Sequence, residues 1–143
     1  MAEGVRRRAI ELAGEVVVDG HAGDVIRSTR EHYGFTQSWL APRLGVRRES
    51  LSRIESGRSS PTIGVVDRFA RVIALAHHVR QTAARSEASG RRLDPESFES
   101  AGRQLDLDPS EAETIAAEAF SQYQAKRRQL LEGVDADDGG PDR

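Results

Sequence analysis

Arg48, Glu49, Ser52 and Arg53 stand in positions that neutral helix formers would ordinarily fill, on what their spacing makes the outward face of a short helix. Three of them can address nucleic-acid base edges or phosphate oxygens. From charge alone the same face reads equally well as a solvated helix surface, because charge runs on helices are common. Catalytic chemistry finds less support. His77 and His78 are adjacent, hence roughly 100° apart on a helix, and cannot share a metal as an i, i+4 pair would. Asp19, His21 and Asp24 lie close together, but such a cluster before a helix reads as capping. There is no glycine-rich phosphate loop and no nucleophile elbow, so the sequence predicts no enzyme, no metal and no cofactor.

Two short helices must carry the charged face. Leu40, Ala41 and Leu44 share one side of the first, and Leu51, Ile54 and Glu55 repeat that logic on the second. Between them Gly45 supplies the left-handed conformation that stops a helix, and Val46 can turn inward to plug the corner. Residues 36–57 therefore predict a helix-turn-helix. Thr36 caps its first helix, the hydroxyl accepting from the backbone of Ser38 or Trp39. Pro42 lies inside that helix, removes the hydrogen bond to Ser38 and predicts a local kink, since an interior proline costs ~3 kcal/mol if unrelieved.

The order of residues extends the signal. Ile26, Arg30, Gly34-Phe35-Thr36-Gln37, Leu40-Ala41, Leu44-Gly45-Val46, Leu51-Ser52-Arg53-Ile54-Glu55, Gly57-Arg58 and Pro61 fall in one sequence over residues 22–75. In that order the chain resembles the lambda-repressor-like helix-turn-helix family, also called the XRE or Cro type, over somewhat more than a third of its length. The resemblance implies a five-helix DNA-binding fold in which Arg48, Glu49 and Arg53 occupy base-reading positions. Arginine suits guanine O6 and N7, and glutamate can accept from cytosine N4. It further implies that the Gln37 amide and its helix N-terminus meet a DNA phosphate, and that Arg30 and Glu55 form an ion pair between the first and third helices. Arg43, Arg47, Ser52, Arg58 and Ser59 are better suited to phosphates, which position a protein without reading sequence.

Charge distribution agrees. The 143 residues carry a net charge of −2, but residues 22–75 hold nine arginines against five acids, while the remainder holds twelve basic residues against eighteen acidic ones. The positive charge sits on the motif, as expected where one segment meets phosphates and the rest does not. The chain has no cysteine, which excludes disulfides and thiolate metal sites and suits a reducing cytoplasm. No apolar run approaches the roughly 18 residues of a membrane span. Arg6, Arg7 and Arg8 are followed by no hydrophobic run of signal-peptide length, so a cytoplasmic protein is expected.

Residues 1–21 predict an N-terminal arm. A short helix over 3–13 places Val5, Ala9, Leu12 and Ala13 on one side, and Arg6–Arg8 serve either as a phosphate-seeking arm or as a solvated face. Val16, Val17 and Val18, ended by Asp19-Gly20, predict an extended segment that packs irregularly or pairs with another subunit. A helix from Gly23 or Asp24 to Tyr33, closed by Gly34, enters the motif. After the Arg58–Pro61 loop, Thr62 caps a long helix whose stripe through Val66, Phe69, Ala70, Ile73, His77, Arg80 and Ala84 carries it to about Ala88, ended by Gly90. Asp94-Pro95 and Asp108-Pro109 mark two further helix starts. Ala112, Ile115, Ala116, Ala119, Phe120, Tyr123, Leu130 and Leu131 form an apolar stripe on the last helix that something must cover. Residues 76–132 are thus expected to dimerise, and 133–143 to form a disordered acidic tail.

The expected fold is all-α, a lambda-repressor-like helix-turn-helix bundle with additional C-terminal helices and one short N-terminal extended segment. The expected partner is double-stranded DNA, read as a palindrome by a homodimer, because one recognition helix touches too few base pairs. Two alternatives stand beside it. One is an antitoxin-like repressor or bridging factor whose C-terminal half binds a protein partner. The other is a small-molecule-responsive regulator or enzyme with an attached DNA-binding domain, for which the C-terminal half offers few convergent polar groups.

Overall fold

A computed structural model describes residues 2–18, 21–90 and 95–138. Among these residues seven helices follow one another: α1 (Ala2–Val18), α2 (Ala22–Tyr33), α3 (Gln37–Leu44), α4 (Arg48–Glu55), α5 (Ile63–Ser89), α6 (Pro95–Gln104) and α7 (Pro109–Asp138). Among the described residues there is no strand, and the chain is all-α. No helix is long and apolar enough to cross a membrane among those residues.

The bundle is built around α5. Val72, Ile73, Ala74, Leu75 and Ala76 are buried in succession, so this helix is enclosed on every side rather than along one stripe. It packs against α1, α2, α3, α6 and α7. Thr62 accepts a hydrogen bond from the Val65 amide at its start, and Gly90 closes it in the left-handed conformation. The expected division between residues 75 and 76 therefore falls on a buried interior turn, and one apolar core runs from α1 to α7.

The valine run at 16–18 is a correction. It is not extended: α1 continues through it to Val18. Val16 falls on the same side as Val5, Ala9 and Leu12, and all four are buried. A valine in a helix costs about 0.5 kcal/mol against alanine, whereas burying its side chain stabilises by ~1.5–3 kcal/mol. Packing against α5 wins, and no strand is left to pair with another subunit; Asp19 and Gly20 lie outside the described residues. The acidic tail is also corrected in part, because α7 runs on through residues 133–138. Residues 139–143 lie outside the description, as does the Asp94 cap.

Glycine at two positions sets the geometry of the motif. Gly45 ends α3 with φ 73°, and the Val46 amide reaches back to the Ala41 carbonyl, which satisfies an otherwise orphaned helix-end acceptor. At Gly23, α2 crosses α4 so closely that a Cβ would stand 2.0 Å from the Ile54 carbonyl oxygen.

Candidate nucleic-acid interface

Helix α4 is divided between an inner and an outer face. Leu51, Ile54 and Glu55 are buried, while Arg48, Glu49 and Arg53 are exposed and Ser52 is half-buried. Leu51 and Ile54 share the core with Leu40, Ala41 and Leu44 of α3 and Ile26 of α2. Helix α3 continues unbroken through Pro42. Pro42 and Ser38 are both exposed, so water can take the carbonyl that the proline leaves without a donor.

A buried polar network fixes the inner face. Arg30 donates from Nε to Glu55 Oε2 at 2.8 Å and from Nη2 to Glu55 Oε1 at 2.9 Å. Its Nη1 donates to the Phe35 carbonyl at 2.8 Å, and Gln37 Nε2 donates to Glu55 Oε1 at 2.9 Å. The Glu55 side chain is 3% exposed and that of Arg30 12%. The hydrogen bonds it donates to the Glu55 carboxylate raise the Arg30 pKa above its ordinary value in spite of burial. A buried carboxylate satisfied by three donors ties α2, the start of α3 and α4 together. Gln37 thus has one amide hydrogen committed to Glu55 rather than turned toward an external phosphate. The N-terminus of α3 itself, with Thr36 accepting from the Trp39 amide, remains at the surface.

The turn after α4 is folded back onto it. Arg58 N and Ser59 N both donate to the Arg53 carbonyl, at 2.9 and 3.3 Å. Arg58 and Ser59 are therefore held at a fixed offset from α4, and both are exposed, as is Arg47 at its start. Among the described residues Arg47, Arg48, Arg53 and Arg58 form no ion pair.

Arg43 differs from these in having a carboxylate partner. Its Nη1 donates to Glu111 Oε2 of α7 at 2.8 Å, and its guanidinium lies 5.4 Å from the Trp39 ring centroid. A phosphate would have to displace a carboxylate already in place, so Arg43 links the motif to α7. Arg68 is the residue that sequence reasoning missed. A cleft of about 420 Å³ at the corner of the motif brings it together with Arg53, Ser59 and Ser60, and its guanidinium covers Gly45. Nothing in its local pattern marks it, because the docking of α5 across the corner brings it there.

Comparison with known proteins agrees with this geometry. A family model described as a helix-turn-helix domain matches residues 21–83. A protein of Methanothermobacter thermautotrophicus named an uncharacterized HTH-type transcriptional regulator is 40% identical over 53 residues, which is 37% of this chain and 77% of the relative. A protein of the same description from Archaeoglobus fulgidus is 43% identical over 47 residues, 33% of this chain and 67% of its own. No solved structure matches the chain.

Proposed function

This chain belongs to the helix-turn-helix family of DNA-binding transcriptional regulators, and from that premise we propose that it reads a palindromic site as a homodimer, with α4 in the major groove. The observation that carries the reading is the division of α4. Its inner side is locked by Leu51, Ile54 and the Glu55 network, while Arg48, Glu49 and Arg53 project outward. Arginine and glutamate on a helix held this rigidly can discriminate guanine and cytosine edges. Arg47, Ser52, Arg58, Ser59 and Arg68 supply the phosphate contacts around them, and the N-terminus of α3 adds backbone donors.

The homodimer is proposed through the far end of α7. Its early apolar residues, Ala112, Ile115, Ala116 and Ala119, are buried within the chain, but Leu130 and Leu131 are 64% and 57% exposed. Two copies place two recognition helices about 34 Å apart on one face of the duplex. A second reading, a protein partner on the C-terminal half, is favoured by one observation: an apolar groove of about 600 Å³ between α6 and α7, lined by Phe98, Ala116 and Phe120 among others.

Selection of bound sequences from random DNA, followed by sedimentation of the free protein and the complex, tests both. A symmetric consensus and two chains per duplex are expected. A single unrepeated half-site bound by one chain would overturn the dimer, and a stable 1:1 complex with another protein would favour the second reading.

A further inference from the structure

Away from the motif corner, the first turns of α1 and the middle and later turns of α5 enclose a cleft of about 340 Å³. Its polar lining converges from both helices: Arg7 and Arg8 from α1, His77, His78, Thr82 and Arg85 from α5. Among the described residues Glu11 is the one acid that lines it. Glu11 stands 3.9 Å from Arg8, with both side chains substantially exposed, a loose contact that neutralises little. Arg7 and Arg85 form no ion pair among the described residues, and Arg8 Nε is buried without an acceptor.

Four arginines elsewhere in the chain are neutralised within it. Arg30, Arg43, Arg71 and Arg127 each have a carboxylate partner. In the cleft, burial first and neighbouring cations second hold both imidazoles below their ordinary pKa, Arg8 acting on His77 and Arg85 on His78. Three guanidiniums and two imidazoles thus line one small space in which, among the described residues, Glu11 is the one acid.

We propose that this cleft binds a small, multiply charged oxyanion of the phosphate class, such as a diphosphate or a phosphorylated metabolite, gripped by Arg7, Arg8 and Arg85. Guanidinium forks match phosphate oxygens in pairs. The volume lies at the lower end of small-molecule sites. The cleft is also wired to the motif. His77 Nδ1 is 3.1 Å from Tyr33 Oη at the end of α2, Tyr33 stacks on Phe35, and Phe35 packs 4.4 Å from Trp39 at the start of α3. An anion that favours the imidazolium makes Nδ1 a donor, so the Tyr33 hydroxyl must accept. The ligand is then an effector whose occupancy shifts DNA affinity, and DNA shifts ligand affinity by the same factor. That second step rests on the regulator reading; the binding site does not.

The test is calorimetric titration of the full, DNA-free chain with inorganic pyrophosphate, and separately with acetate, at constant ionic strength in chloride. One site per chain is expected, with pyrophosphate at least tenfold tighter than acetate. Arg7→Ala and Arg85→Ala should each weaken it tenfold or more, while Arg128→Ala on α7 should not. Because Arg7 and Arg85 are exposed, both variants should melt like the parent. In the parent protein, the imidazole resonances of His77 and His78 should move on titration while that of His21 stays. No heat and no shift, equal binding of acetate, or unchanged binding in Arg85→Ala would each overturn the site. Loss of DNA affinity in Arg7→Ala and Arg85→Ala, without pyrophosphate binding to the parent, would assign the cleft to the DNA backbone and overturn it too. Pyrophosphate binding that leaves DNA affinity unchanged would overturn the effector role.

Discussion

On the outward side of α4 and the turn after it, Arg47, Arg48, Arg53 and Arg58 are exposed and make no ion pair among the described residues. Behind that face, Arg30 is clasped by Glu55, Arg43 by Glu111 and Arg127 by Glu87, each from a different helix. The residue type is the same, and the tertiary neighbourhood decides its use. On the proposed reading the exposed arginines of α4 meet an external anion, whereas Arg30, Arg43 and Arg127 hold helices to one another. In the α1–α5 cleft Arg7 and Arg85 likewise have no carboxylate partner among the described residues.

The largest effect should come from stripping one member of the buried pair. Glu55→Ala leaves Arg30 and Gln37 without their acceptor and should cost ~3–5 kcal/mol in urea unfolding. Arg30→Met together with Glu55→Leu should cost much less, because the attraction within the pair largely offsets its desolvation. Additive losses in the double variant would remove the contrast with the outer arginines. Next, Arg53→Ala should leave stability within ~0.5 kcal/mol and reduce discrimination at one base step by ~1–3 kcal/mol, read by competition between the selected site and its point variants. Equal weakening on every sequence would move Arg53 to the phosphate set.

Arg43→Ala should cost at most ~1 kcal/mol, since both side chains of its pair are partly exposed, 23% and 30%. It should leave the salt dependence of DNA binding unchanged. Arg58→Ala should instead lower that slope by about 1; the reverse outcome would exchange the two residues' roles.

The smallest effect is on pH. His32, His77 and His78 all titrate below the ordinary imidazole value, burial being the first cause in each. Around His77 the neighbouring positive groups are Arg8, Arg80 and His32. Between folded and unfolded pKa values the unfolded chain binds more protons, so stability should fall as pH drops below ~6.5. Melting temperatures from pH 7.5 to 5.5 should show the decline, and His77→Gln should flatten part of it; a flat profile in the parent would contradict the assignment.

Local signals were legible in the sequence. Thr36 and Thr62 cap helices α3 and α5, Gly34, Gly45 and Gly90 end helices, and the stripe past Leu75 marked a helix that continues. What stayed hidden depends on partners distant along the chain. The partner of Arg43 lies 68 residues away, and Arg68 reaches the motif corner only through the crossing of α5. Val16 shows the third case, in which β propensity is read correctly and then outweighed by burial against α5. On α7 the apolar stripe from Ala112 to Ala119 announced that it would be covered, but periodicity could not say that the cover is this same chain.

Gly23 has a consequence that reaches DNA without touching it. The backbone of α2 rests directly on the end of α4, with the Ile54 carbonyl where a side chain would begin. An alanine there would act as a shim, lifting the recognition helix on the order of 1 Å to restore van der Waals separation. Hydrogen bonds to base edges tolerate only a few tenths of an ångström. On the proposed reading of α4, operator preference can therefore be retuned from behind, by the thickness of one methyl group, with every proposed DNA-facing residue left as it is.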